Sequence, residues 1–493
     1  ECNRRHDENA PANDCRTKTD VGVTATEVVG SKRHRLREQC VDVRERNRCE
    51  CQQQKNATFT TSCHGASILR EVKIESPRIV VRRSGPLTGS VNVPGAKNSV
   101  LKLMAATLLA EGDYVLTNVP AITDVQKMSE TLNSLGVATE WLGPHELHLV
   151  NSGNITPEVP FEKFDKMRAS INVLGPLLTH YGSARINWPG GDDFGGRPIN
   201  LHVEGLQRMG ATIDEGLYDI FAYAERLKGT NIELALPSVG ATENLLTAAV
   251  YANGVTVIDN AAREPEVQDL CNMLVSMGAD IEGIGTSRLV IHGRERGSLK
   301  STRHTVVSDR VQAATYMAAV AVTGGDIMVR SARTEHMEAL LNLYARMGVA
   351  VTPQRDGVRV TSHERLRAID FITEPYPGIA TDYKPLLVAM LCVSRGEGSV
   401  TETLFPGRFK YIEEFRRLGA SIAIYGNKAT VRGVYELIGS EVRVPDIRAG
   451  AALVVAGLVA SGETTIRDIS HIDRGYDDLV GKLNGLGADV TRV

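Results

Sequence analysis

Polar and basic residues recur in this chain at the points where helices should begin. Lys97-Asn98, Arg168, Ser238-Val239-Gly240, Asp309-Arg310, Asp382 and Asp446-Ile447-Arg448 each open a helix-length apolar stretch. A helix N-terminus offers unpaired N–H groups and the positive end of the dipole, so it favours anions. Cations added at several such points suit a ligand with more than one negative charge. An Asp there has a plainer use, because its carboxylate caps backbone N–H groups. That use is expected of Asp309 and Asp446, which are also expected to pair with their neighbours Arg310 and Arg448. Buried arginines at several equivalent positions are harder to place in a folding core unless an anion is to be bound.

One loop stands apart. Trp188 to His202 reads WPGGDDFGGRPINLH, with four Gly and two Pro around two adjacent carboxylates. Such a run holds no regular element and permits large backbone excursions. The plain reading is an exposed turn. The functional one puts Arg197 and the Asp192-Asp193 pair on a lid that closes over a charged ligand.

The elements that position these residues repeat six times. One unit reads GAKNSVLKLMAATLLAEGDYVLTNVP from Gly95 and MRASINVLGPLLTHYGSARINWPG from Met167. It returns from Ser238, Asp309, Thr381 and Asp446. An amphipathic helix follows each copy and closes on Gly136, Gly210, Gly278, Gly348, Gly419 or Gly487. These glycines recur about every 70 residues, longer than an ordinary solenoid period. Each unit therefore reads helix–strand–helix–strand, with Gly where a left-handed residue ends a helix. The first helices are apolar nearly all round and should be buried on every side; the second should be half exposed. Two globular domains of three units each is the expected arrangement.

Composition bounds the partners. The 493 residues include 56 Lys+Arg against 59 Asp+Glu, for a formal charge of −3, without the basic excess of a nucleic-acid binder. No apolar run reaches the roughly 18 residues of a membrane span. Six of the eight cysteines fall within the first 63 residues, so the body has no disulfide framework and fits a reducing, cytoplasmic compartment. Residues 1–74 lack hydrophobic periodicity and are expected to form a disordered or non-native tail without a part in the chemistry. Cys49, Cys51, Cys63 and His64 match no common zinc-finger spacing.

The motifs PGAKNS, KMRASINVLGPL, PGGDDFGGRP, PSVGATEN, NAAREPE, TDYKP, DIRAGA and HIDRGY occur in this order. In them the chain resembles the enolpyruvyl transferases, in the branch whose acceptor is UDP-N-acetylglucosamine, from about Arg78 to Val493. The resemblance implies an α/β fold, a two-domain inside-out α/β barrel of six helix–strand–helix–strand repeats. It implies a first domain over 95–306 and a second over 75–94 plus 307–493. It also implies transfer of the enolpyruvyl group of phosphoenolpyruvate to the sugar 3-hydroxyl, with release of phosphate, as the first committed step of peptidoglycan synthesis. No cofactor, metal, nucleic acid or membrane enters that reaction, and the chain sets no oligomeric state.

By motif, Lys97, Arg197 and Arg474 match the family's ligands for the phosphate, and Arg408 and Arg448 those for the carboxylate. Asn98, Arg168, Ser238, Val239, Gly240 and Leu404 match positions lining the nucleotide-sugar. Asp382 matches the carboxylate that contacts the 3-hydroxyl and serves as general base. The chemistry asks for this set: fixed cations desolvate a dianionic substrate, guanidinium forks pair its two acidic groups, and a carboxylate takes the hydroxyl proton.

The departures are as informative. Asp192 stands where the family commonly has a lid Cys; in such members the epoxide phosphonate fosfomycin alkylates the thiol. As a general acid, Asp192 would need a pKa raised by a closed, dry lid. Asn200 replaces an Asp that commonly contacts uracil, and Asn172 and Leu236 also differ, at the rim of the nucleotide site. They motivate a second reading, transfer to another nucleotide or sugar acceptor. A third, a silent nucleotide-sugar sensor, is opposed by the retention of Asp382 with five cations.

Overall fold

The computed structural model describes residues 76–160, 167–192, 199–405 and 407–493. The expected tail at residues 1–74 lies outside them.

Six helices carry the apolar repeats: Lys97–Ala106, Leu174–Tyr181, Val239–Ala249, Arg310–Thr323, Lys384–Cys392 and Ile447–Gly457. Every residue of the last two is buried, as the absence of a polar face requires. The second copy enters through a 3₁₀ turn, Arg168–Val173, and its Pro176 sits in the first turn of the regular helix, where a missing N–H costs nothing. Asp309 accepts from the amides of Val311 and Gln312, and Asp446 from those of Arg448 and Ala449. Both are N-caps, as expected.

The second helices are Thr123–Leu135, Asn200–Arg208, Pro265–Met277, Glu338–Met347, Ile412–Arg417 and Leu479–Gly485. All six predicted closing glycines have positive φ, from 83° at Gly419 to 112° at Gly136. A side chain at those angles would be strained, which is why the period is marked by glycine.

The described strands form one three- or four-stranded sheet per unit, with a further two-stranded pair, Leu437–Ile438 and Ala460–Ser461. In the first unit Gly112–Thr117, Glu146–Asn151 and Val137–Gly143 run antiparallel. Arg303–Thr305, from the end of the third unit, adds a parallel strand to them. Asn231–Glu233 does the same for Val255–Asp259 in the third unit, and Glu158 makes a parallel bridge to Arg185 in the second. Each unit thus lends a strand to the next, and the third returns to the first. The other three units repeat the scheme through Leu87–Asn92, Phe371–Ile372 and Glu441–Arg443. In the last sheet the strand Ile79–Arg82 lies between Glu463–Arg467 and Asp489–Arg492 and completes the set from far away in sequence.

Two hydrophobic cores result. One runs from Val100 to Val306, and the other joins Ile79–Val93 to residues between Val311 and Val490. The chain passes between them twice, side by side. Ala96 N–H donates to the Val307 carbonyl at 2.7 Å, and Asp309 N–H to that of Pro94 at 2.9 Å. Gly95 lies at this crossing; a Cβ there would fall 2.0 Å from the Asn118 carbonyl oxygen, so no other residue fits. The tight crossing delivers Lys97 at a fixed point between the two cores.

Candidate active site

Lys97 opens its helix directly after that crossing, and its backbone N–H is held by Asp309 Oδ2 at 3.3 Å. Its side chain is nearly buried, with Nζ 2.8 Å from Asp124 Oδ2. Asp124 is itself buried, in the first turn of the next helix, and also receives Arg474 Nε at 2.9 Å. Arg474 donates through Nη1 to Asp192 Oδ1 at 2.6 Å, and His471 Nδ1 lies 3.2 Å from the same oxygen. Lys97, Asp124, Arg474 and Asp192 therefore form one continuous chain of alternating charges, with His471 hydrogen-bonded at its end.

A second cluster surrounds Asp382. Its Oδ1 takes Arg408 Nη1 at 2.9 Å and its Oδ2 takes Arg448 Nε at 3.2 Å. Both arginines are buried, and Nη1 of Arg448 is buried with no partner among the described residues. A buried guanidinium donor left open is costly, and an incoming anion would relieve it. The loop that carries Leu404 and Arg408 is fixed from below by Lys384 and Glu402, both fully buried and 2.7 Å apart. Glu402 accepts from the amides of Leu404 and Phe405 at 2.9 and 3.1 Å, while Lys384 Nζ donates to the Arg408 carbonyl at 2.6 Å.

The electrostatics follow from these contacts. Burial lowers the pKa of Lys97 against the opposing pull of Asp124, and Arg474 and Arg448 lower it further, so the two clusters share one field. Burial pushes the Asp382 carboxyl up, but the Arg408 and Arg448 charges outweigh it and hold it far below the usual carboxylate range. At Asp192 burial is likewise outweighed, first by the His471 hydrogen bond and then by Arg474 and Lys97, and the carboxyl is held at about 2. Three cationic or donor groups face Asp192 and hold its carboxyl low, so the raised pKa that a general acid there would need is not found in this arrangement.

Several of the other residues matched by motif lie with the core that runs from Val100 to Val306. Ser238 caps the Val239–Ala249 helix, accepting from Ala241 N–H at 3.4 Å, so the Val239 and Gly240 amides stand in its first turn. Gly240 packs against the His202 ring, which a Cβ would approach to 3.3 Å. Gly191 packs against Arg168 in the same way, at 3.1 Å. Asn98 is half-buried, and its carbonyl accepts from Lys102. Arg197 and Asp193 lie outside the described residues.

Other expectations are corrected. Arg310 and Arg448 do not pair with the neighbouring caps; Arg310 bonds Glu266 at 2.9 Å and Arg448 bonds Asp382. A carboxylate spent on two backbone amides is turned away from the side chains that follow it. Asn172 is not at a rim but 4% exposed, donating to Glu243 Oε2 at 3.0 Å. Asn200 and Leu236 are exposed, and Asn200 donates to Glu204 at 3.2 Å. Sequence reading gave no role to Asp124, His471, Lys384 or Glu402. The motifs TDYKP and HIDRGY contained two of them, but their partners lie far off in the chain.

Glu243 yields a pH prediction. Burial raises its pKa to about 7 from 4.5, against Lys102 and the Asn172 hydrogen bond. Between those values the folded chain holds a proton that the unfolded chain releases. The resulting stabilisation is full below about pH 4.5 and is lost as pH rises through about 7. Glu243→Gln mimics the protonated form, so it should gain up to ~3 kcal/mol at pH 8 and almost nothing at pH 4. Thermal unfolding of both proteins at the two pH values checks this; an equal shift at both would contradict it.

A family model described as EPSP synthase (3-phosphoshikimate 1-carboxyvinyltransferase) matches residues 81–483. The chain is 46% identical over 416 residues to the UDP-N-acetylglucosamine 1-carboxyvinyltransferase of Corynebacterium jeikeium, covering 84% of this chain and 98% of that one. It is 44% identical over 416 residues to UDP-N-acetylglucosamine 1-carboxyvinyltransferase 1 of Caldanaerobacter subterraneus, covering 84% and 99%. Among solved structures, the enolpyruvyl transferase NikO from Streptomyces tendae aligns with a TM-score of 0.76 at 25% identity, over 85% of this chain and 99% of that one. EPSP synthase from Acinetobacter baumannii aligns with a TM-score of 0.68 at 18% identity, over 85% and 100%, which speaks for the fold alone.

Proposed function

Because the chain belongs to the EPSP synthase family, we propose that its site transfers the enolpyruvyl group of phosphoenolpyruvate to the 3-hydroxyl of UDP-N-acetylglucosamine, releasing phosphate. That would be the committed step of peptidoglycan synthesis, performed in the cytoplasm. The observation that carries the proposal is the single field of cations from two cores, Lys97 and Arg474 beside Arg408 and Arg448, around the carboxylate Asp382. The names of relatives matched over nearly their whole length support the acceptor. The division into 95–306 and 75–94 plus 307–493 is supported by the two separate cores.

In this reading Lys97, Arg474 and Arg197 hold the phosphate, and Arg408 and Arg448 hold the substrate carboxylate. Asn98, Arg168, Ser238, Val239, Gly240 and Leu404 line the nucleotide-sugar. Asp382 takes the 3-hydroxyl proton as the oxygen attacks C2, and Asp192 stands at the methylene that must gain one. Asp382 pairs with Arg408 and Arg448, and Asp192 with Arg474, so the substrate must displace these carboxylates to reach the cations. When the substrate carboxylate engages Arg408 and Arg448, Asp382 loses its counter-charges and becomes a stronger base.

The test is phosphate release from phosphoenolpyruvate with UDP-N-acetylglucosamine, with the enolpyruvyl ether identified by mass. Release dependent on both substrates supports the reading; release only with a different acceptor favours the second one, whose motive is the exposed Asn200. Removing residues 1–74 should leave turnover within about twofold, since the relatives are matched almost in full by the remainder. Loss of soluble expression or of activity on that truncation would contradict it.

A further inference from the structure

Asp192 raises a question of proton supply. Held at about 2, its carboxyl is ionised at neutral pH and brings no proton of its own, yet among the described residues it is the Gly-rich-loop group that reaches the Lys97–Arg474 cluster. His471 is the one described imidazole bonded to it, Nδ1 to Oδ1 at 3.2 Å. An ionised carboxylate only accepts, so the hydrogen of this bond is on Nδ1. The two side chains differ in solvent access: Asp192 is 5% exposed and His471 34%. The buried partner is thus linked through one hydrogen bond to a ring that water can reach. The charged groups acting on Asp192 are Arg474 and Lys97, with Asp446 also in its field. Arg474 and Lys97 are already paired through Asp124, and Asp446 is spent as a helix cap. None of the three offers a proton to Asp192 as readily as an imidazolium does.

We propose that His471 supplies, through Asp192, the proton gained by the methylene carbon of the enolpyruvyl donor. The inference rests on the functional reading above, which it deepens. In the step, the Nδ1–H bond of the imidazolium breaks and an O–H bond forms on Asp192. That O–H bond breaks as the C=C electron pair takes the proton to make a C–H bond. The carbon left electron-poor receives the oxygen of the acceptor hydroxyl, whose own proton passes to Asp382. The imidazole, now neutral, is recharged from solvent. Transfer of Arg474 from Asp192 to the substrate phosphate favours the step, because it removes the charge that most opposes protonation of the carboxylate. His471 does not touch substrate in this scheme; it acts through Asp192.

The experiment measures kcat for phosphate release across pH in the native enzyme, His471→Gln and His471→Ala, each with and without added imidazole. The expected loss is ~10²-fold in both variants, with the native decline on the alkaline side absent, and partial recovery of His471→Ala by imidazole. A second arm repeats His471→Gln in an Asp192→Asn background, whose amide can neither take up nor pass on the proton; there the further loss should shrink to within ~5-fold, a coupling expected of two groups in one relay. Turnover within about threefold of native in the single variants would overturn the proposal, as would an equal loss in both backgrounds, which is the mark of a structural role. Native turnover with UDP-N-acetylglucosamine reports on the functional reading; only the variant-to-native ratio reports on His471.

Discussion

Asp382→Asn should lose ~10²–10⁴-fold in kcat while acceptor affinity changes little, because a group that takes a proton in flight acts mainly in the transition state. The structure adds a second, opposite effect. Asp382 is the shared counter-ion of Arg408 and Arg448, so its removal frees both guanidinium groups for the substrate carboxylate. Phosphoenolpyruvate should therefore bind the variant more tightly, although turnover is nearly gone. Isothermal titration of each substrate, with single-turnover phosphate release, separates the two effects. Near-native kcat would remove Asp382 from the base role, and weaker phosphoenolpyruvate binding would remove it from the counter-ion role.

The second large effect is a gain of sensitivity. Asp192 is a carboxylate held at about 2, and a carboxylate of such low basicity is a poor nucleophile toward an epoxide. The native protein should be indifferent to fosfomycin. Asp192→Cys places a thiol beside Arg474 and His471, with Lys97 near enough to act on its charge, surroundings that favour the thiolate. The phosphonate would sit on cations no longer neutralised by Asp192. That variant should be inactivated with time and gain the inhibitor's mass. Labelling of the native chain would contradict the reading of Asp192 as an unreactive carboxylate, and a Cys variant left active and unlabelled would contradict its placement beside the reacting carbon.

What was legible in the sequence was local. The six closing glycines are marked by a backbone angle that only glycine adopts freely, and every one of them has it. Asp309 and Asp446 read as caps because capping joins residues two or three apart. The partners of the charged residues were a different matter. Arg448 lies 66 residues from Asp382, and Arg474 lies 350 from Asp124. Adjacency in sequence suggested Asp309 for Arg310, but the tertiary fold gave it Glu266 from the other core. Asn172 illustrates the same limit: its motif places it near the nucleotide, while its burial against Glu243 comes from the packing of two helices. The state of Asp192 could not be read either, since it depends on His471 and Arg474, 279 and 282 residues away. Sequence pattern located the cations; only the fold shows which carboxylates hold them.

The central claim is that one field of cations around Asp382 binds phosphoenolpyruvate and delivers its enolpyruvyl group to a nucleotide-sugar. The most direct measurement is steady-state phosphate release by the purified chain over a panel of acceptors: UDP-N-acetylglucosamine, UDP-glucose, a cytidine analogue and shikimate 3-phosphate. The account predicts release that requires both substrates, with kcat/KM for UDP-N-acetylglucosamine above every other acceptor by at least ~10-fold, the effect of one or two specific contacts. Absence of release with UDP-N-acetylglucosamine, or a clear preference for a different acceptor, would contradict it.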